Sequence, residues 1–208
     1  MLIALTFLLV GAASGDQQVA ACSDLPFYHV ELTLRRGVVT ISDDLTLNEV
    51  KKLYDEVGKK VPHEPLGFYT SSFHYTVWID RPQTATCTDP VRIHVGMILD
   101  GRRIVLGHEV VAQACLRTAA LAHYKRHADA NGWAFMKLAA QVQHAIIDPG
   151  LLLFPRTNDA TSPDAEQIVK SALERELPSF DADNRNAQAA VDTPNQVKRL
   201  AEACSTPA

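Results

Sequence analysis

Two histidines, His123 and His127, lie four residues apart within an Ala/Leu-rich stretch that predicts a helix. On a helix, residues i and i+4 lie on the same face about one turn apart. Neutral imidazole is a good zinc ligand, so this spacing predicts that one metal ion binds both side chains. The alternative is a coincidental pair on a solvated helix face beside Lys125 and Arg126.

The residue that follows the first histidine is Tyr124. In the His-Glu-x-x-His motif of zinc peptidases, this position holds a Glu that acts as the general base. A phenol with a pKa of about 10 is a poor base at neutral pH. The spacing therefore favours a metal site, whereas Tyr124 argues against ordinary hydrolysis. Slow hydrolysis stays open, because zinc lowers the pKa of its own bound water to about 7.

A catalytic zinc usually has three protein ligands and an open position for water, and the sequence does not identify the third ligand. Glu174 and Glu176, on a later predicted helix, are carboxylate candidates, although each could also be a solvent-facing charge. Glu109 precedes the motif helix and is a candidate substitute base. Its alternative role is a solvated carboxylate that the helix dipole favours. The remaining imidazole candidates are His94, His108 and His144.

The four cysteines are Cys22, Cys87, Cys115 and Cys204, and they allow three pairings. A Cys87–Cys115 bridge would join the strand region to the helix with the histidines, and a Cys22–Cys204 bridge would join the two termini. Free buried thiols are the alternative. The chain contains no Cys-x-x-Cys spacing, which argues against a four-cysteine zinc site.

Several segments between Cys87 and His127 occur in an ordered block: Cys87, Val91-Arg-Ile-His-Val-Gly, Arg103-Ile-Val-Leu, Ala114-Cys115 and Leu121-Ala-His123-x-x-x-His127. This block resembles a family of secreted bacterial proteins, a domain of unknown function regarded as zinc-dependent proteases. Its members pair a cysteine before a strand hairpin with a cysteine that opens the helix carrying His-Glu-x-x-His. The resemblance covers residues 27–130.

This resemblance implies a zincin-like fold, His123 and His127 as zinc ligands, and a Cys87–Cys115 disulfide. The second predicted bridge is then Cys22–Cys204. Tyr124 departs from the family pattern at the catalytic Glu. The departure puts catalysis in doubt and implies a degenerate or weakly active metallopeptidase.

The chain has 208 residues, of which 47% are hydrophobic and 21% are charged, and its formal net charge is -4. This composition predicts one globular domain with a well-buried core. The weak negative charge and the lack of an aromatic and basic strip argue against a nucleic-acid partner. No stretch of about 20 apolar residues predicts a transmembrane span.

Residues 2–13 form a short apolar run that ends in small residues. This pattern predicts a signal peptide over residues 1–15 and export to the periplasm or the medium. Val19-Ala20-Ala21-Cys22 also resembles a lipoprotein processing box, which would extend the signal to residue 21 and attach a lipid anchor at Cys22. Polar residues 16–18 separate this box from the apolar run, so the simple signal peptide is favoured.

The order of elements predicts an α+β fold in a single domain over residues 23–208, strand-rich over 27–108 and helical over 109–204. Residues 91–99, the turn pair Asp100-Gly101 and residues 102–106 predict a β-hairpin in a mostly antiparallel sheet. A helix capped by Asp44 is expected over 45–57. A long helix is expected over 111–147, which Gly132 could interrupt, and further helices begin at Ser162-Pro163 and Thr193-Pro194.

Two functional hypotheses follow. The first is an exported zincin-like protein that binds zinc through His123 and His127 and is a weak or inactive peptidase, with peptides as its partners. The second is a non-enzymatic envelope domain on the same fold, with a structural role or an envelope protein as its partner.

Overall fold

A computed structural model describes residues 3–6, 28–56, 65–80, 91–147, 165–202 and 204 of the chain. The elements in chain order are β1 (Ile3–Thr6), β2 (Tyr28–Arg36), β3 (Thr40–Leu45), α1 (Leu47–Glu56), β4 (Gly67–Asp80), β5 (Val91–Gly107), α2 (His108–Val111), α3 (Ala114–Ile147), α4 (Ala165–Val191) and α5 (Pro194–Glu202). The predicted α+β class is confirmed. Among the helices described, none combines the length and the apolar character needed to cross a membrane.

The strands form an open five-stranded sheet in which β2, β3 and β4 each pair with β5, and β1 pairs with β2. β1 runs antiparallel to β2, whereas β3 runs parallel to β5 with Thr40 opposite Arg103. The predicted mostly antiparallel sheet is therefore not confirmed. β1 lies within the segment predicted as a signal peptide. The predicted cleavage site before Asp16 and the lipoprotein box at 19–22 lie outside the described residues.

β5 is one continuous strand of 17 residues, so the predicted hairpin at Asp100-Gly101 is wrong. Gly101 does adopt a left-handed φ of 57°. A single left-handed glycine within a strand is the conformation of one type of β-bulge, which lets the strand continue. Segments on both sides of β5 hold the strand next to Gly101. The Gly37 N–H donates to the Leu99 carbonyl at 2.8 Å, and the Ser72 hydroxyl donates to the Asp100 carboxylate at 2.8 Å. Tertiary pairing overrides the local turn preference.

α1 begins with a capping box formed by Thr46 and Glu49. The Thr46 N–H donates to the Glu49 carboxylate at 2.7 Å, and the Glu49 N–H donates to the Thr46 hydroxyl at 3.3 Å. The predicted cap Asp44 pairs instead with Arg103 at 2.7 Å. Thr-x-x-Glu is the sequence signature of this cap, so the true helix start was readable from the sequence.

The structure contains two compact units, the first made of residues 1–35, 74–98 and 137–179 and the second of 36–73, 99–136 and 180–208. In the first unit, Trp78 stacks on His94 with ring centroids 4.9 Å apart, and His94 also lies 3.1 Å from the Glu31 carboxylate. The core of the second unit is a cluster of buried side chains: Ile104, Leu106, Val110, Ala120, Tyr124 and Leu200. This core holds α3, which carries both histidines, against β5 and α5. The predicted domain boundaries stay predictions.

α3 runs through 34 residues, and Gly132 does not interrupt it. A Cβ atom at position 132 would lie 2.9 Å from Nη1 of Arg36 and 3.5 Å from Nη2 of Arg102. The same Nη2 of Arg102 donates to the Ala128 carbonyl at 2.8 Å. Gly132 therefore allows a guanidinium group to approach the helix backbone closely, just beyond the turn that carries His127.

Candidate metal site

His123, His127 and Asp192 converge within the second unit. Nε2 of His127 lies 3.1 Å from Nε2 of His123 and 3.0 Å from Oδ1 of Asp192. Nε2 of His123 lies 3.4 Å from the same carboxylate oxygen. Ligands about 2.0–2.1 Å from a zinc ion at tetrahedral angles are about 3.3–3.4 Å apart. The three atoms therefore have close to the spacing of one face of a tetrahedral zinc site.

The three side chains differ in exposure to solvent. His123 and His127 are buried, with relative exposures of 4% and 7%, whereas the Asp192 side chain is 53% exposed. Asp192 lies in the short connection between α4 and α5, after Val191 and before Pro194. The cluster thus lies at the boundary between the core and the solvent, where a metal ion and water can enter.

The electrostatics of Asp192 suit metal binding. Burial raises the pKa of its carboxyl group, but hydrogen bonds from His123 and His127, together with their positive charge, outweigh burial and hold the pKa well below its ordinary value. Asp192 is therefore ionised at neutral pH. The ionised carboxylate is the form that binds a metal.

Tyr124 packs beside the histidines without offering them a base. Its ring lies edge-on to His123 and stacked with His127, at centroid distances of 5.0 and 5.8 Å. Its hydroxyl is hydrogen-bonded to the main chain of Gly67 and to Tyr54. Burial raises the pKa of Tyr124 well above its ordinary value, so the phenol stays protonated at neutral pH. Tyr124 supports the two rings and cannot replace the catalytic Glu.

The three acidic candidates predicted from the sequence are not part of this cluster. Glu109 lies in α2, and its carboxylate accepts the Leu47 N–H at the start of α1 at 2.9 Å. Hydrogen bonds from the main chain of Glu109 and of Leu47 lower its pKa. Glu174 is exposed on α4, and Glu176 pairs with Arg175 at 3.2 Å. The structure brings none of them to the histidines.

Asp192 is the member of the candidate site that the sequence reasoning missed. Its only sequence signal is that it precedes Thr193-Pro194, whose predicted helix start is confirmed by α5. A carboxylate in a break between two helices can turn towards a neighbouring element. The identity of that neighbour is not local information, because Asp192 and His127 are 65 residues apart.

No family model, no curated protein and no solved structure matches this chain. The zincin-like family and fold accordingly stay an expectation from the resemblance. The His123, His127 and Asp192 cluster carries the functional inference.

A disulfide joins Cys115, near the start of α3, to Cys204, after α5. The predicted pairings Cys87–Cys115 and Cys22–Cys204 are therefore wrong, although the prediction of disulfides rather than free thiols is confirmed for Cys115 and Cys204. Cys22 and Cys87 lie outside the described residues. Four cysteines allow three pairings, and no local signature selects one of them. A disulfide is typical of oxidising compartments, which agrees with the predicted export.

The disulfide also confines the segment that carries Asp192. Cys204 is tethered to α3 on one side of Asp192, and Gln188 contacts His127 on the other side. Between these two points, the Arg126 side chain donates to Gln196. The second unit therefore holds Asp192 near both histidines through covalent and polar contacts.

We expect the double substitution Cys115→Ala/Cys204→Ala to lower the free energy of unfolding by about 2–4 kcal/mol. The bridge links residues 89 positions apart, so its loss frees a long loop in the unfolded chain. Zinc affinity should fall as well, because Asp192 becomes less confined. Urea unfolding with and without zinc measures both effects. Thr118→Ala is the matched control, since within the described part of the chain its exposed hydroxyl bonds the Ala114 carbonyl of its own helix. Unchanged midpoints in the double variant would contradict this prediction.

Proposed function

We propose that this protein binds a zinc ion through Nε2 of His123, Nε2 of His127 and Oδ1 of Asp192. The triangle of these atoms, with sides of 3.0, 3.1 and 3.4 Å, is the observation that carries the proposal. Two imidazoles and one carboxylate form a ligand set found in catalytic zinc sites. The low pKa of Asp192 supports it, because the third ligand is already charged at neutral pH.

In this proposal, the protein is an exported, zincin-like member of the metallopeptidase type with weak or no hydrolytic activity. Three protein ligands leave a fourth position for water, and zinc lowers the pKa of that water to about 7. Attack by the water also needs a base within hydrogen-bond reach. Within the described ranges, Asp192 is the one carboxylate grouped with the two histidines, and Tyr124 stays protonated. Hydrolysis is therefore expected to be slow.

A non-enzymatic role is the second candidate, and one observation favours it. The disulfide and the three-residue cluster both link α3 to the C-terminal segment. Zinc would then act as a second cross-link beside Cys115–Cys204 and hold the C-terminal helix in place. The partner would be an envelope protein rather than a substrate peptide.

Metal analysis of the full chain tests the proposal. After dialysis against zinc-containing buffer, the wild type should retain about one zinc ion per chain, and Asp192→Asn should bind it more weakly. His144→Ala is the matched control, because His144 is exposed on the same helix and is not part of the cluster. A wild type that retains no zinc, or that prefers Fe²⁺ or Mn²⁺ over zinc, would contradict the proposal.

Chelation then separates the two candidate roles. If the chain cleaves unstructured peptides slowly and EDTA abolishes the cleavage, the metallopeptidase role is supported. If EDTA lowers the unfolding midpoint and no cleavage occurs before or after its addition, the structural role is supported.

A further inference from the structure

A chain of hydrogen bonds between buried and half-buried polar side chains leads through the second unit towards His127. Arg102 donates from Nε to the Tyr69 hydroxyl at 3.2 Å, and Tyr69 donates to Oδ1 of Asn131 at 2.9 Å. Nδ2 of Asn131 donates to Oδ1 of Asn184 at 3.2 Å. Nε2 of Gln188 donates to the same Asn184 oxygen at 3.3 Å. The network thus ends at Gln188, which contacts the proposed metal ligand His127.

The direction of each hydrogen bond follows from Arg102. A guanidinium group can only donate, so the oxygen of Tyr69 accepts and its single proton points to Asn131. The side-chain oxygen of Asn131 is then occupied, and its NH₂ group faces Asn184. The side-chain oxygen of Asn184 therefore accepts two hydrogen bonds, one from Asn131 and one from Gln188. Arg102 is held in place by two further bonds, to the carbonyls of Gly37 and Ala128 at 3.1 and 2.8 Å.

Gln188 connects this network to His127, and the same reasoning fixes which of its amide atoms faces the imidazole. Its NH₂ group has two acceptors, Oδ1 of Asn184 and the main-chain carbonyl of His127 at 3.0 Å. Its side-chain oxygen therefore faces Nδ1 of His127, with which it is in hydrogen-bond contact. An amide oxygen can only accept, so Nδ1 of His127 must carry a proton. Nε2, which lies 3.0 Å from Oδ1 of Asp192 and 3.1 Å from Nε2 of His123, is then the ring nitrogen that must be free of a proton to bind a metal.

We infer that Gln188 is a positioning residue that keeps a proton on Nδ1 of His127 and so leaves Nε2 as the nitrogen that binds the metal. This inference rests on the proposed zinc site and names the side chain that prepares one of its ligands. A metal-binding histidine almost always donates its second ring N–H to an acceptor, which fixes both its tautomer and its orientation. His123 lacks such a partner, because its Nδ1 is buried with none among the described residues. His127 is the preorganised ligand of the pair.

The protonation of Nδ1 can be measured directly in zinc-free protein. Long-range ¹H–¹⁵N NMR at pH about 8.5, above the ordinary pKa of histidine, reports which ring nitrogens carry a proton. The wild type should show a proton on Nδ1 of His127, whether or not Nε2 is also protonated beside Asp192. Finding Nδ1 of His127 without a proton would overturn the inference. This result does not depend on metal binding, so it is distinguishable from a failure of the proposed zinc site.

Substitution of Gln188 supplies the second test. Gln188→Met keeps the length of the side chain and removes its acceptor, so zinc affinity should fall about 10–100-fold. The Nδ1–H preference of His127 should be lost as well. Gln188→Glu keeps an acceptor for Nδ1–H and should retain the tautomer. Gln167→Met is the matched control, because Gln167 is an exposed glutamine on the same helix. Unchanged tautomer and zinc affinity in Gln188→Met would overturn the assignment.

Discussion

Alanine in place of His123 or His127 is expected to weaken zinc binding by more than about 100-fold. Substitution of an outer partner of a metal ligand typically costs about 10–100-fold, and loss of a ligand itself should cost more. Each ring supplies one of the three atoms of the cluster, and no other described His, Cys, Asp or Glu joins that group. Competition with a chelator of known zinc affinity measures the loss.

Thermal unfolding gives an independent readout of the same prediction. A ligand present at 100 times its dissociation constant stabilises the native state by about 2.7 kcal/mol. Zinc should therefore raise the unfolding temperature of the wild type and of His144→Ala, and leave His123→Ala and His127→Ala unchanged. Each variant is compared with its own zinc-free form, so any stability lost with the buried ring cancels. A zinc-induced shift that persists in both histidine variants would contradict the three-ligand site.

The second large effect concerns the missing general base. Tyr124→Glu restores the motif His-Glu-x-x-His, yet we expect it to cost about 3–5 kcal/mol of stability rather than to create a peptidase, because a buried charge without a partner is strongly destabilising. Tyr124 is 5% exposed and belongs to the apolar cluster that contains Ile104 and Leu106. The hydrogen bonds that the Tyr124 hydroxyl makes with the main chain of Gly67 and with Tyr54 would be lost as well.

Tyr124→Phe is the matched control for this substitution. It keeps the ring against both histidines and removes only the hydroxyl, so the expected cost is about 1 kcal/mol and zinc binding should persist. Urea unfolding and peptide hydrolysis are measured for both variants. A Tyr124→Glu protein as stable as the wild type, with new zinc-dependent peptide cleavage, would show instead that the catalytic framework is intact.

The part of the site that the sequence predicted is the part whose geometry is local. Two residues four apart on a helix share a face because the helical repeat is 3.6 residues, and His123 and His127 do converge. The start of α5 at Thr193-Pro194 was also predicted, because a capping residue followed by proline is a local signal. The capping box at Thr46 and Glu49 was equally local, although the cap was predicted at Asp44 and the Thr-x-x-Glu signature was missed.

The other errors involve contacts between distant parts of the chain. Asp100-Gly101 has the residues of a hairpin turn, but β5 continues through it because neighbouring strands hold both sides. The cysteine pairing depends on where the end of the chain packs, and Cys204 reaches Cys115 rather than Cys22. Composition and spacing carry no information on either contact.

By itself, the sequence therefore determined an α+β chain with a histidine pair on one helix face and a tyrosine where hydrolysis would need a carboxylate. Only the tertiary structure decided that Asp192 lies beside the two histidines, that Gln188 contacts His127, and that the hydroxyl of Tyr124 is hydrogen-bonded to Tyr54 and Gly67. The physical reason is the range of the interactions. Helix periodicity acts over four residues, whereas Asp192 and Gln188 reach His127 across 65 and 61 residues through packing of the C-terminal helices on α3.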